Sequence, residues 1–245
     1  PVRVSLNDDY TPNFNRIESA ISNKTKMIVI NNPHNPTGRI WTESDFEALE
    51  TILEKHPQIL ILGDEVYEYI TFSQPHISFN TRPKLVERTI IASSFGKSLH
   101  VTGWKVGYLI ATENLMFEMK KVHQFLVFSV NSFSQHAISE YLDVVDFSEV
   151  SKMYQRKRDL FQNLIKDSRF ELMPCDGTYF QVVNYNQISS KNDVDFAKEL
   201  IVNHGVASIP ISVFYNDNTD RHMLRFCFAK TDETLIKATN KLCAI

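Results

Sequence analysis

The chain has 245 residues, with 26 Lys and Arg against 29 Asp and Glu, and a formal net charge of −3. This balance creates no strong field, so we expect no nucleic-acid partner and no anionic membrane partner. Its apolar runs are far shorter than the roughly 20 residues that cross a bilayer. Three cysteines without a CxxC pair favour a reducing compartment over a disulfide framework. We therefore expect a soluble, cytoplasmic protein.

The first half of the chain alternates predicted helices and strands. A helix behind an Asn cap is predicted over residues 13–21, and a second helix begins at Thr42, with Asp45 three residues further on. Buried strands are predicted at residues 27–30, 59–62, 89–93 and 106–111. Strands separated by helices of this length indicate parallel crossovers, so the sequence predicts an α/β fold with a mostly parallel sheet.

The pattern changes in the second half. Residues 113–147 predict two helices, and residues 149–166 predict a third that is charged on one side. Further short strands are predicted at 171–173, 179–183, 206–208 and 223–228, with helices at 193–203 and 232–242. Because strands and helices no longer alternate regularly, we predict a large domain at 1–148 and a smaller α+β domain at 149–245.

One lysine, Lys97, lies among scarce glycines. Only seven glycines occur in the chain, and three of them fall within residues 93–107, S-S-F-G-K-S-L-H-V-T-G-W-K-V-G. Glycine serves where the backbone takes positive φ or approaches another group closely. We expect Lys97 in a loop at the carboxyl end of a strand, where open α/β sheets bind ligands. Most loop lysines are solvated charges, so the neighbouring motifs decide its meaning.

Three other motifs combine polar groups with strand ends. N-N-P-H-N-P-T-G at 31–38 and D-E-V-Y at 64–67 each follow a predicted strand, and Arg225 lies within the apolar strand L-R-F-C-F. Taken singly, these are also typical of a turn, a helix cap and a buried ion pair. Together they supply an amine, a carboxylate, a phenol, an amide, a hydroxyl and cations. Pyridoxal phosphate needs this set of groups.

The motifs N-P-H-N-P-T-G, D-E-V-Y, S-F-G-K and G-W-K-V-G, in this order, resemble the class I/II (fold type I) aminotransferases. G-T-Y-F, A-S-I-P-I-S-V-F and L-R-F-C-F-A-K resemble the branch of methionine:oxo-acid and kynurenine aminotransferases. The resemblance covers essentially the whole chain. It implies that 1–148 is a partial cofactor-binding large domain and 149–245 a small C-terminal domain. We expect a portion of a longer enzyme without its N-terminal part, and a homodimer at full length.

The resemblance implies a role for each of four residues around the cofactor ring. Lys97 would bond covalently to the cofactor aldehyde and then shuttle a proton. Asp64 would pair with the pyridinium nitrogen, which keeps the ring protonated as an electron sink. Asn35 and Tyr67 would donate hydrogen bonds to the phenolate oxygen. On this basis Lys97, Asp64 and Tyr67 are the predicted catalytic residues.

Three further residues would bind anionic groups. Ser94 and Lys105 would hold the cofactor phosphate. Many members of the family have arginine at the position of Lys105, whereas the branch that this chain resembles commonly has lysine there. Arg225 would bind the substrate carboxylate through a two-pronged salt bridge. The histidines show no metal-ligand spacing, so we predict no metal site. At helical spacing, Phe125, Phe128 and Phe133 are expected in the core, with an aromatic specificity wall as the alternative.

We predict a pyridoxal-phosphate-dependent transaminase. It would move an amino group from a neutral sulfur or aromatic amino acid, such as methionine, phenylalanine or kynurenine, to a 2-oxo acid. Lys97, Asp64 and Arg225 would equally serve a C–S β-lyase or a decarboxylase on the same fold. A third alternative is a non-catalytic sensor domain of a transcription regulator, and a fourth is an inactive remnant.

Overall fold

The computed structural model describes all 245 residues, which form two compact units. The first unit contains Pro1–Pro33, Ile40–Tyr69 and Pro75–Ser148. The second unit contains His34–Arg39, Ile70–Gln74 and Glu149–Ile245. Each unit has a four-stranded sheet of its own. None of the helices combines the length and the apolar composition that a membrane span needs.

The sheet of the first unit is mostly parallel, as predicted. Its strands are β1 (Met27–Asn31), β2 (Leu60–Asp64), β3 (Thr89–Ser94) and β4 (Gly107–Ile110), in the order β1-β2-β3-β4. Strands β1, β2 and β3 are parallel, whereas β4 is antiparallel to β3. Asn31 is level with Asp64, and Ser94 is level with Gly107. The carboxyl ends of β1 to β3 and the start of β4 therefore share one edge.

Five helices accompany this sheet in the first unit. They are α1 (Phe14–Ala20), α2 (Glu43–Glu54), α3 (Phe95–Ser98), α4 (Glu113–Leu126) and α5 (Ser132–Leu142). Arg16 N donates to Asn13 Oδ1 at 2.9 Å before α1, and Thr42 N donates to Asp45 Oδ2 at 2.7 Å before α2. Because the first N–H groups of a helix have no intrahelical partner, these bonds fix where α1 and α2 begin.

The core of the first unit lies between α2 and the sheet. Phe46, Leu49 and Leu53 have no exposed surface, which confirms the predicted apolar face of α2. They belong to one cluster with Ile61 of β2 and with Trp41, whose ring meets Phe46 edge to face at 5.4 Å. Burial of each such side chain contributes about 1.5–3 kcal/mol to folding. This packing holds β2 in place beneath the site described below.

The expectation that Phe125, Phe128 and Phe133 lie in the core is wrong. Their exposed fractions are 84%, 83% and 84%, and α4 has no buried residue. Helical spacing indicates that one face of a helix is apolar, but it does not indicate that another element covers the face. In this chain nothing packs over these three rings.

The second unit is an antiparallel sheet with helices. Its strands are β5 (Glu171–Leu172), β6 (Phe180–Asn184), β7 (Ile209–Pro210) and β8 (Met223–Cys227), in the order β5-β6-β8-β7. All of its pairs are antiparallel. The helices of this half are α6 (Phe147–Ile165), α7 (Asp193–His204) and α8 (Asp232–Leu242). An antiparallel sheet with separate helices is the predicted α+β arrangement.

The strand predicted at 206–208 lies three residues later. Gly205 ends α7 with φ 63°, and its N–H donates to Ile201 O at 3.0 Å. Val206 N donates back to Leu200 O at 3.1 Å. This bonding pattern closes the end of a helix, so Val206 belongs to the cap of α7. The strand β7 begins only at Ile209.

Two early segments belong to the second unit through backbone hydrogen bonds. Asp176 N and Gly177 N both donate to Gly38 O, at 2.9 and 2.8 Å. Phe72 N donates to Asp176 O at 2.8 Å, and Thr178 N donates to Ile70 O at 2.8 Å. The predicted domains, 1–148 and 149–245, assign both segments to the first domain. That linear division stays a prediction.

Gly38 is a position where we predict a large effect of a single methyl group. Its φ is +74°, and an added Cβ would lie 3.0 Å from Gly177 O and 3.3 Å from Cys175 Sγ. We expect Gly38→Ala to lower the free energy of unfolding by about 1–3 kcal/mol, because both the backbone and the space disfavour it. Urea unfolding measures this loss.

Gly103→Ala is the matched control. Nothing lies within 4 Å of a Cβ placed there, so its free energy of unfolding should stay close to that of the original protein. Equal losses for the two variants would contradict the account of Gly38.

Candidate active site

The predicted site residues of the first unit lie at the shared edge of its sheet. Asp64 is the last residue of β2, and Ser94 is the last residue of β3. Lys97 follows β3 directly, and Lys105 precedes the start of β4 at Gly107, which is level with Ser94. The parallel pairing of β2 with β3 and the antiparallel return of β4 therefore bring these four residues to one edge.

Lys97 lies on a helical turn, not in an irregular loop as expected. The turn is α3, and Ser94 caps it because Gly96 N donates to Ser94 Oγ at 3.1 Å. Leu99 N donates to Phe95 O at 2.8 Å and closes the turn. A Cβ on Gly96 would lie 3.0 Å from Thr102 Cα, so a glycine lets the two backbone segments approach. The turn therefore fixes the backbone position from which the Lys97 side chain extends.

Lys97, Tyr67 and Asp64 interact within this unit. Lys97 Nζ lies 5.8 Å from the ring centroid of Tyr67, which is 3% exposed. Burial raises the pKa of Asp64, and the hydrogen bond from Val66 N and the positive charge of Lys97 oppose that rise. A partly buried carboxylate of this kind is stabilised as an anion by a nearby cation. This edge of the sheet therefore favours a positively charged group close to Asp64.

Lys105 has a backbone conformation that sequence reasoning did not predict. Its φ is 58° and its ψ is 40°, in the left-handed region that non-glycine residues adopt in a few per cent of cases. Two residues later, a Cβ on Gly107 would lie 2.5 Å from Ser93 O, so β4 can begin there only with glycine. Strained residues of this kind cluster at functional sites. The role of Lys105 as an anion-binding residue stays a prediction.

Glu68 was missed by the sequence analysis. Its Oε1 accepts hydrogen bonds from Tyr108 OH at 2.6 Å and from Ser93 Oγ. Burial raises the pKa of Tyr108, and the hydrogen bond to Glu68 raises it further. Glu68 thus ties the segment that carries Tyr67 to the β3–β4 pair. Its position directly after D-E-V-Y was the only available signal, because the cross-strand level of Ser93 with Tyr108 cannot be read from the sequence.

The second acidic residue of D-E-V-Y is structural. Glu65 is completely buried, and its carboxylate accepts from Phe79 N at 2.8 Å and pairs with His76 Nε2 at 2.9 Å. A buried carboxylate needs such partners, because burial of an unpaired charge is costly. Glu65 therefore holds the chain that follows β2, and its neighbour Asp64 is the carboxylate at the sheet edge.

In the second unit, the structure brings Asn35 and Arg225 together. Arg225 Nη1 donates to Asn35 Oδ1 at 2.6 Å, although the two residues are 190 positions apart. The guanidinium carbon of Arg225 lies 3.9 Å from the ring centroid of Phe180 and 5.3 Å from that of Phe214. The predicted carboxylate-binding arginine is therefore held by an amide and two aromatic rings.

His34 belongs to the same loop as Asn35 and is half-buried. Its Nδ1 lies 2.8 Å from Thr37 Oγ1, and burial lowers the pKa of His34 to about 4. The residue is therefore neutral near pH 7, and its contact lies within its own loop. This geometry fits a structural histidine.

The donor groups of the first unit fit a phosphorylated pyridine aldehyde. An amine, a carboxylate and a phenol are provided by Lys97, Asp64 and Tyr67, with the hydroxyl of Ser94 and the cation of Lys105 at the same edge. These groups match the aldehyde, the ring nitrogen, the phenolate and the phosphate of pyridoxal 5′-phosphate. No group of three or more His, Cys, Asp or Glu is arranged to hold a metal ion.

Known proteins resemble this chain along nearly its whole length. The family described as "Aminotransferase class I and II" matches residues 1–242. The methionine aminotransferase of Escherichia coli is 43% identical over 225 residues, which are 91% of this chain and 58% of that protein. The kynurenine–oxoglutarate transaminase of Dictyostelium discoideum is 34% identical over 255 residues, which are 94% and 59% of the two chains.

A solved structure agrees with these matches. A crystal structure from Escherichia coli, described as identifying a methionine aminotransferase function, superimposes with a TM-score of 0.96 at 40% identity. It covers 100% of this chain and 65% of its own chain. The chain thus spans about three fifths of the length of the curated relatives above.

The partial burial of His34, which lowers its pKa, predicts a pH-dependent stability. Its folded pKa, about 4, lies below the ordinary value of 6.5, so between these values the unfolded chain binds a proton that the folded chain does not. Stability is therefore lost as the pH falls from 6.5 towards 4. We expect this residue to remove up to about 2 kcal/mol between about pH 7 and about pH 5.

Urea unfolding of His34→Gln at the two pH values measures this contribution. The free energy of unfolding should differ less between the two pH values in this variant than in the original protein, by the amount given above. His136→Gln, at an exposed histidine, serves as the control and should keep the original difference. A His34→Gln variant with the same pH dependence as the original protein would show that His34 is not the residue responsible.

Proposed function

Since this chain belongs to the class I and II aminotransferase family, whose members use pyridoxal 5′-phosphate, we propose that the protein is an aminotransferase dependent on this cofactor. Its amino donor would be a neutral sulfur or aromatic amino acid such as methionine, phenylalanine or kynurenine, and its acceptor a 2-oxo acid. The similarity to methionine and kynurenine aminotransferases supports this substrate class.

The observation that carries the proposal is the position of Lys97. Its amine lies beside the buried phenol of Tyr67 and interacts with the carboxylate of Asp64, at the carboxyl edge of a parallel sheet. When bound, the cofactor supplies an aldehyde and an electron-withdrawing ring. In the resting enzyme, the amine of Lys97 would bond covalently to this aldehyde. During reaction, the released amine of Lys97 would accept the proton from the substrate Cα and deliver it to the carbon that carried the aldehyde.

The remaining residues would hold and polarise the cofactor. Asp64 would accept the ring N–H, and its burial at this edge strengthens that charge pair. Tyr67 and Asn35 would each donate to the phenolate oxygen. Ser94 and Lys105 would bind the phosphate, with Lys105 as a point charge.

Arg225 would bind the α-carboxylate of the amino acid. A guanidinium matches a carboxylate with two parallel hydrogen bonds, which fixes both the distance and the plane of the substrate. The exposed ring of Phe214 beside it presents apolar surface, whereas the ring of Phe180 is buried. This surface favours substrates with neutral, apolar side chains over aspartate or glutamate.

We further propose that the protein acts as a homodimer in the cytoplasm, without a nucleic-acid or membrane partner. The near-neutral charge and the three free cysteines support this setting. The exposed rings of Phe125, Phe128 and Phe133 offer an apolar face that a partner subunit could cover.

Covalent trapping tests the role of Lys97. We expect the protein at its natural length to be yellow with bound cofactor, and borohydride to fix the cofactor on Lys97, which peptide mass spectrometry locates. Lys97→Ala should abolish transamination, since both the covalent link and the proton carrier are lost. Lys24→Ala, at an exposed lysine outside the site, should keep full activity. Trapping on another lysine would end this assignment.

A panel of amino donors with one fixed 2-oxo acid tests the substrate class. We expect kcat/KM for methionine, phenylalanine and kynurenine to exceed that for aspartate by at least about 10²-fold, because an apolar side-chain site leaves a second carboxylate unpaired. Aspartate as the best donor would contradict the proposed class. Release of ammonia and a thiol from a cysteine conjugate, without amino transfer, would instead indicate a C–S β-lyase.

A further inference from the structure

The motif A-S-I-P-I-S-V-F ends at Phe214, one of the two rings beside Arg225. It covers residues 207–214, and the structure places its central part beside the arginine. Ile209 of β7 is level with Arg225 of β8. A 3₁₀ turn, Ile211–Phe214, follows β7 and ends at Phe214. The motif therefore carries one aromatic ring to the guanidinium.

Two rings contact the guanidinium of Arg225. Its central carbon lies 3.9 Å from the centroid of Phe180 and 5.3 Å from that of Phe214. Both distances are within the roughly 6 Å over which a ring face attracts a cation. Phe180 is 8% exposed, whereas Phe214 is 41% exposed. Phe180 therefore belongs to the core, and Phe214 is an exposed ring that packs against the guanidinium of Arg225.

These contacts restrict the orientation of the guanidinium. The hydrogen bond from Nη1 to Asn35 Oδ1, at 2.6 Å, fixes one corner of the fork. The ring faces of Phe180 and Phe214 limit rotation of the planar group, because a guanidinium stacks on aromatic rings. A carboxylate would then meet a fork whose plane is already set.

The turn that carries Phe214 is itself anchored. Ser212 N donates to Asp193 Oδ2 and Ser212 Oγ donates to Asp193 Oδ1, each at 2.7 Å. Asp193 is 1% exposed and Ser212 is 4% exposed, so these two hydrogen bonds are shielded from solvent. Asp193 is the first residue of α7, where a helix stabilises negative charge. Phe214 is thereby held on a rigid element.

We propose that Phe214 is a positioning residue. Its ring, together with that of Phe180, holds the Arg225 guanidinium in the orientation that receives the substrate α-carboxylate. This role rests on the proposed function of Arg225. A pre-oriented fork loses less conformational freedom on binding, so Phe214 acts on the affinity for carboxylate-bearing substrates and not on the bond-making steps.

Steady-state kinetics of the protein at its natural length test this role. In Phe214→Leu we expect KM for methionine to rise about tenfold, as the attraction between ring and cation is lost. The turnover number should change by less than about twofold, because the lost interaction is equal in the ground and transition states. Phe214→Tyr keeps the ring and should restore KM. Val213→Ala, on the same turn and 55% exposed in the original protein, should leave both constants unchanged.

Chemical modification gives a readout that does not depend on turnover. Phenylglyoxal modifies arginines, and peptide mass spectrometry follows its reaction at Arg225. A carboxylic acid without an amino group, 3-(methylthio)propionate, should slow this reaction by binding the guanidinium. In Phe214→Leu, we expect Arg225 to react several-fold faster, and the acid concentration that protects it to rise about tenfold.

The two readouts separate this role from the function on which it rests. An unchanged KM and an unchanged protecting concentration in Phe214→Leu would overturn the positioning role, as would a Phe214→Tyr variant that behaves like Phe214→Leu. If the original protein does not transaminate, the proposed function fails, and the protection of Arg225 still decides the role of Phe214. Phe214→Met, also without a ring, carries the same tests if the leucine variant does not fold.

Discussion

Parallel pairing of three strands is the constraint on which the candidate site depends. Because β1, β2 and β3 run in one direction, each ends at the same edge, and polar residues placed after each strand meet there. The antiparallel return of β4 adds Lys105 to this edge from the opposite chain direction. A single change of strand direction would separate Asp64 from Lys97. The chemistry of the site thus follows from sheet topology, and the individual side chains act within it.

Electrostatics at this edge reflects a balance of burial and charge. Burial alone would drive Asp64 towards its neutral form, and the amine of Lys97 opposes this. Glu65, next in sequence, is completely buried, and its carboxylate is paired with His76 and with a backbone N–H. Two adjacent carboxylates therefore serve different ends. One is held inside by hydrogen bonds, and the other stays available to a cation at the surface of the sheet.

Local sequence patterns predicted the features that depend on neighbours along the chain. The starts of α1 and α2 and the apolar face of α2 follow from caps and periodicity. The same patterns predicted the strands at 59–62 and 89–93, which in the structure end slightly later, at Asp64 and Ser94. The contact of Arg225 with Asn35 spans 190 positions, and no local pattern encodes it. The exposure of Phe125 was unpredictable for a related reason, since spacing reveals an apolar face but not its cover.

The sharing of backbone bonds around Gly38 has a consequence for how this protein could be engineered. The peptide groups of Asp176, Gly177 and Thr178 find their partners in residues encoded more than 100 positions earlier. A C-terminal piece that begins at residue 149 would lack the carbonyl acceptors of Gly38 and Ile70, so these N–H groups would lose their protein partners. Residues 149–245 alone therefore do not make up the whole second unit. Recombination with a relative would have to transfer the loops at 34–39 and 70–74 along with them.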